Sequence, residues 1–463
     1  MIGLAAMALA AVLGAATIWR YAGLRVLRPR WAAWLLAFGA GTAFGLGATS
    51  ILWLLAASAA PSARLGVLAI EIGALGWMGF AIRREGAATD ATTASAPRAP
   101  GVAVAAALLA VAVAAVVAQQ APGWQANPQG GWDAWSIWNL RAKFLAAPDG
   151  LAARAWSPLL SATHPEYPLL TAGAIGRAWG LGGGATPDAP IALSLLFFLS
   201  LLASTTGAIA AWRGPASGLL AGLALAGTPA LSMQAVSQYA DVPLAAYFAA
   251  AIGFAMLDRP LWAGVFAGMA AWTKDEGALF CAVLVAAFAL LRRGGLARLA
   301  VGLAPAAAVY TAFKLLLAPH LSTHTGSGAL ARLFDVQRYS AVAAGAARDF
   351  WGLGLGWYHP ILPLAVFAAA LGLRKEAREQ AWLCTAAAGL TLAGYLAFVT
   401  ATPDNLQWQI DTALGRLFVQ WWPLAVFAVM AWTRSPEETV VTAAPPEPAP
   451  ASRKSARGKR AKP

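Results

Sequence analysis

Residues 189 to 211 read APIALSLLFFLSLLASTTGAIAA, a run with no charged side chain, closed by Asp188 on one side and Trp212-Arg213 on the other. A helix rising 1.5 Å per residue needs about 20 apolar residues to cross a hydrocarbon core of about 30 Å. This stretch meets that length and sets the reading of the rest. Comparable apolar stretches lie near 1 to 19, 31 to 57, 65 to 82, 101 to 118, 215 to 235, 241 to 257, 260 to 274, 277 to 291, 298 to 317, 351 to 373, 381 to 400 and 416 to 433. The expected fold is an all-α polytopic membrane protein of about 13 transmembrane helices. The least regular pair is 260 to 291, where Lys274-Asp275-Glu276-Gly277 reads as a hairpin tip.

Composition agrees. Across 463 residues, 59% of side chains are hydrophobic and 11% charged, which excludes an ordinary soluble protein, a nucleic-acid binder and a disordered chain. The formal charge of +13 sits mostly in short Lys/Arg patches between apolar runs. That is the pattern of membrane orientation. Placing Arg20 to Arg30 in the cytoplasm puts 22 of the 33 basic residues there, and predicts an outer N-terminus and a cytoplasmic C-terminus in a plasma membrane. The first segment lacks a basic region before it, so it reads as a reversed anchor rather than a cleaved signal. Cys281 and Cys384 lie far apart inside apolar runs and suggest buried thiols.

Four regions follow: a three-helix membrane segment (1 to 84), an Ala/Thr/Pro cytoplasmic linker (85 to 100), a ten-helix unit (101 to 433) and a basic cytoplasmic tail (434 to 463) expected to be disordered.

The outer loops carry 11 of the 20 acidic residues. The longest, 119 to 188, contains Gly130-Gly131-Trp132-Asp133-Ala134-Trp135-Ser136-Ile137-Trp138-Asn139-Leu140-Arg141. From Trp135 the aromatic spacing predicts an amphipathic helix on the bilayer surface, with Arg141 among its cations. Asp133, just ahead of it, reads equally as a helix cap and as a catalytic carboxylate. His164-Pro165-Glu166-Tyr167-Pro168 follows, its prolines holding polar side chains in an extended turn, and an isolated His there also reads as a loop hydrogen-bonder. Asp241 precedes Pro243 at the start of a helix, a pattern that equally describes a cap. Lys274 beside Asp275 and Glu276 fits either snorkelling or a clamp on a lipid phosphate. Arg416 enters the last span from the outer side, against the orientation bias, where a cation could serve a phosphate.

In order and sidedness these residues resemble the C-type glycosyltransferase (GT-C) superfamily, in particular the family-39-like group of protein mannosyltransferases and lipid A sugar transferases. The matching features are Asp133 in the first large outer loop, His164-Pro165 with Tyr167-Pro168-Leu169, Asp241-Val242-Pro243-Leu244, Thr273-Lys274 near Gly277, and Arg416, spanning about 124 to 420. Two departures are Ala134, where the family often has Glu, and Glu166 within the His-Pro element.

The resemblance implies a GT-C-like bundle and an inverting transfer of sugar from a polyprenyl-phosphate donor to a lipid, glycan or protein acceptor. Asp133 would be the base, with Asp241 the second catalytic candidate. Lys274, Arg416 and Arg141 would face the donor phosphate, and His164, Glu166, Tyr167 and Glu276 would complete the substrate site. The chemistry admits a divalent metal, to which no residue is assigned, and implies no other cofactor. The partners are the donor, the acceptor and membrane lipids, with no nucleic acid. A multi-spanning transporter or lipid-linked-sugar flippase is the alternative. It predicts charges inside the spans, where Glu71 is nearly the only acid.

Overall fold

The computed structural model describes residues 1–59, 63–86, 101–148, 151–319, 328–374 and 378–443. Every extended element among them is helical. The linker expected at 85 to 100 lies, after Gly86, outside the described residues.

Four long helices open the chain: α1 (Ile2–Tyr21), α2 (Arg30–Ala59), α3 (Ala63–Gly86) and α4 (Val102–Ala126). The large loop follows, with α5 (Leu140–Ala146) and α6 (Leu170–Gly182). The opening stretch becomes α7 (Asp188–Arg213), with Asp188 in its first turn and Arg213 in its last, each where the helix dipole favours its charge. Next come α8 (Pro215–Ala226) and α9 (Pro229–Val236), bent by 59° at a break before Pro229, whose ring disfavours helical geometry in the preceding residue.

The centre is α10 (Asp241–Met256), buried along its whole length. Around it lie α11 (Pro260–Thr273), α12 (Asp275–Leu291), α13 (Arg293–Leu316) and, after α14 (Ala329–Leu333), α15 (Val336–Gly352) and α16 (Ile361–Leu371), the helix α17 (Arg378–Ala401). The chain closes with α18 (Leu406–Gln409), α19 (Gly415–Trp432) and α20 (Pro436–Ala443).

All thirteen apolar stretches contain helix, but among the described residues 8 helices are long and apolar enough to cross a membrane, or up to 9 with the bent pair. The other apolar stretches of the expected thirteen hold shorter helices. At 1.5 Å per residue, the 16 residues of α10 reach about 24 Å. Within 351 to 373 only Ile361–Leu371 forms the apolar helix, because the stretch begins in the end of α15 and a turn.

The helices share two polar ends. At the arginine-rich end, Arg259 Nε donates to the Ala22 carbonyl at 3.1 Å, Arg292 pairs with Asp258 and with Glu379 at 2.9 Å, and Trp212 donates to Gln380 at 3.1 Å. Arg213 pairs there with Glu438 at 2.9 Å, and Glu437 accepts from the Ala216 N–H at 2.9 Å, capping the start of α8. These contacts dock α20 on the bundle and correct the expected disorder of the tail over Pro436–Ala443. The opposite, acid-rich end holds the candidate site.

An ion pair ties three helices together inside the bundle. Glu71 on α3 accepts from Arg177 Nε of α6 at 3.2 Å, and Arg177 Nη1 donates to the Ala6 carbonyl at 2.8 Å. A charge kept at membrane depth needs such a partner, and the pair fastens α3 to α1 and α6. Replacing Glu71 by Gln should destabilise the protein by about 1.5–3 kcal/mol, the range for a hydrogen bond to a charged group. Thermal unfolding in detergent checks this, and an unchanged midpoint would mean that α3 docks without the pair.

Candidate functional site

At the acid-rich end, residues from the α11–α12 hairpin and from α19 converge on Asp241. This carboxylate is fully buried, at 0% exposure. It accepts from Lys274 Nζ at 3.1 Å and Arg416 Nε at 2.9 Å, and from the Gln420 amide at 2.5 Å. Arg416 continues outward through Nη2 to Asp133 at 2.6 Å, and its guanidinium lies 4.6 Å from the centroid of the Tyr239 ring. Lys274 also pairs with Glu276 at 2.7 Å. The chain of charges runs Asp133, Arg416, Asp241, Lys274, Glu276.

Local structure places each member. Lys274 is extended between α11 and α12, and Gly277 lets the hairpin close, since a Cβ there would stand 2.0 Å from the Ala270 carbonyl oxygen. Arg416 and Gln420 are four residues apart on α19 and share a face. The turn carrying Tyr239 is tied to the Asp133 loop by the Gly131 N–H on the Ser237 carbonyl at 3.0 Å and by Gln238 Nε2 on the Pro128 carbonyl at 3.3 Å. Gln238 adopts φ +57°, a left-handed conformation costly for a residue with a side chain and most frequent at functional sites.

The structure does not use either acid as a helix cap. Neither Asp133 nor Asp241 makes a side-chain cap hydrogen bond, and both spend their oxygens on the ion cluster. Asp241 organises the cations from inside. Asp133, with 15% of its side chain exposed, Arg416 with 21% and Glu276 with 22% form the accessible rim. Trp132 and Trp135, each about half exposed and 5.9 Å apart, flank Asp133. Within this cluster three carboxylates face two cations.

A second cluster adjoins the first. Asp275 accepts from Lys314 Nζ at 2.8 Å and from Tyr310 at 3.0 Å, and Lys314 also donates to the Glu166 carbonyl at 2.7 Å. His164 Nδ1 meets Glu166 Oε1 at 3.0 Å and its ring stacks on Tyr167 at 4.6 Å. Burial, reinforced by the nearby carboxylates of Glu276, Asp275 and Glu166, pushes the Tyr167 hydroxyl well above the usual tyrosine range. The Tyr239 hydroxyl is raised in the same way, by burial and then by Asp133.

The expected surface helix is only partly that. A wide π turn over Ala134–Asn139 leads into α5, and Trp138, Arg141 and Leu145 are buried in protein rather than laid among headgroups. Arg141 donates to the Ser136 and Ile137 carbonyls at 3.3 and 3.1 Å and to Thr163 at 3.1 Å. Burial lowers its pKa to about 10, against the opposing pull of Glu166. Its task here is to join the Asp133 segment to the His164 loop. Lys274 is likewise enclosed, at 5% exposure, so of the three cations expected at the donor phosphate Arg416 is the one within reach of an external anion.

Sequence reasoning missed Gln420, Tyr239, Tyr310 and Lys314. Gln420 carried the clearest signal, an amide one helical turn beyond Arg416 inside an apolar run. Among the described residues no group of three or more His, Cys, Asp or Glu could hold a metal ion. With Asp133, Asp241 and Glu276 each paired to a cation, the donor set does not fit a resident divalent metal. No family model, curated protein or solved structure matches the chain.

Proposed function

We propose that the protein is an integral membrane glycosyltransferase with a GT-C-like bundle. It moves a sugar from a polyprenyl-phosphate donor to a lipid, glycan or protein acceptor at the outer face of the plasma membrane. The observation that carries this reading is the convergence of Asp133, Asp241, Lys274 and Arg416 in one ion cluster at one end of an apolar bundle, with Asp133 and Arg416 at its rim.

Asp133 lies at the rim of the cluster between Trp132 and Trp135, where an acceptor hydroxyl can approach it. Asp133 takes the proton of the acceptor hydroxyl as its oxygen attacks the anomeric carbon, and the bond from that carbon to the phosphate oxygen breaks with inversion. Protonation of Asp133 loosens its hold on Arg416 as negative charge builds on the departing lipid phosphate. Arg416, still held through Nε by Asp241, then stabilises that charge. Lys274 and Gln420 fix Asp241 from behind. The transporter alternative gains no support from Glu71, which is tied to Arg177 inside the bundle.

Arg416→Ala should weaken donor binding about tenfold or more, since a charge-assisted contact contributes about 1.5–3 kcal/mol. Equilibrium binding of a fluorescent polyprenyl-phosphate sugar measures it. Unchanged affinity in a folded variant would remove Arg416 from the phosphate site.

The orientation belongs to the same proposal. The four short apolar helices α10, α11, α12 and α16 act as crossings, thirteen in all, in support of which α10 runs from Asp241 at the acid-rich end to the turn of Asp258 at the arginine-rich end. With the arginine-rich end cytoplasmic, a single cysteine at Asn127 should react with an impermeant reagent applied outside and one at Ser452 should not. The reverse pattern would invert the bundle.

A further inference from the structure

The peripheral helix α4 buries only Gln120 and Trp124. It leans on α8 and α9 but stands away from α2 and α7 near the arginine-rich end. The gap is a cleft of about 740 Å³, with walls that include Phe38 of α2, Val102 and Leu109 of α4, Leu202 and Thr206 of α7, and Trp31 at its rim. Apart from the Trp31 indole, Thr206 is the only lining side chain with a polar atom. Ordered water needs two to four polar partners, so this cleft is dry. At membrane depth its walls are matched by hydrocarbon.

The dimensions and rim narrow the occupant. The α4 wall runs from Val102 to Val113, about 16 Å at 1.5 Å per residue. That is half of a hydrocarbon core of about 30 Å, the depth of one leaflet. Trp31 sits where an interfacial indole belongs, and the adjoining Arg28 and Arg30 are exposed. Basic side chains at this level attract anionic headgroups. We propose that the cleft binds one acyl chain of an anionic phospholipid from the leaflet at the arginine-rich end, with Arg28 and Arg30 beside its headgroup. This assignment does not depend on the transferase reading, because the cleft and the acid cluster lie at opposite ends of the bundle.

The test uses the full chain in bilayer nanodiscs of equal phosphatidylglycerol and phosphatidylcholine, followed by native mass spectrometry. The parent should retain about one phosphatidylglycerol, preferred at least fivefold. Ala106→Trp, which fills the cleft, should reduce retention at least tenfold, and Arg28→Gln with Arg30→Gln should keep a lipid but lose the preference. Phosphatidylglycerol with a photoreactive acyl chain, applied to the unmodified protein, should label peptides containing Phe38 and Leu109, with unlabelled lipid competing. Uniform labelling of all lipid-facing helices would overturn the proposal. So would full retention by folded Ala106→Trp, a retained polyprenyl phosphate, or a second copy of the chain covering the cleft.

Discussion

Asp133→Asn is expected to give a folded protein that binds donor yet turns over at least about 100-fold more slowly than the parent, the lower end of what a positioned base contributes. That loss corresponds to about 2.7 kcal/mol of transition-state stabilisation. Helix capping cannot account for it, because the Asp133 side chain caps nothing. Nor does the cluster fall apart, since Arg416 keeps its 2.9 Å contact with Asp241. What the amide cannot do is take the acceptor proton. Turnover within a few-fold of the parent, at equal donor affinity, would end the assignment of Asp133 as base.

Asp241→Ala should act on the scaffold as well as on the chemistry. It would leave Lys274, 5% exposed, with Glu276 as its one remaining carboxylate and release the inner side of Arg416. Removing one partner from a buried ion pair costs about 3–5 kcal/mol, and Asp241 serves two cations, so the upper part of that range is expected. Denaturant or thermal unfolding in a fixed detergent reads the effect. Adding Lys274→Met should recover part of the loss, because the second change removes a buried charge that has lost its inner partner and keeps only Glu276. A stability within 1 kcal/mol of the parent would show that water replaces the carboxylate and that the cluster is open rather than buried.

The membrane character was legible from apolar length alone, as Asp188–Arg213 illustrates. Which apolar stretches form long helices and which form short ones was not. A window over 351 to 373 averages a turn with a short helix, and hydropathy does not register that α10 is enclosed by protein on every side. At the candidate site the sequence brought forward Asp133, Asp241, Lys274 and Arg416 because each is charged at a membrane boundary. It could not show that Asp241 joins the two cations, since the contacts bridge 33 and 175 residues of chain. Arg141 shows the opposite difficulty. Its position between aromatic residues suggests a surface cation, whereas its guanidinium is buried on backbone carbonyls, a fate set by the wide turn over Ala134–Asn139 that aromatic spacing does not announce.

The most direct test of the transferase reading is turnover of purified protein supplied with a panel of polyprenyl-phosphate sugars and a membrane extract as acceptor source, reading free polyprenyl phosphate and the anomeric configuration of the product. The reading predicts that one donor releases its lipid phosphate stoichiometrically with a sugar added in inverted configuration, and that Asp133→Asn suppresses both. Intact donor carried from one face of proteoliposomes to the other, with no lipid phosphate released from any donor, would contradict it.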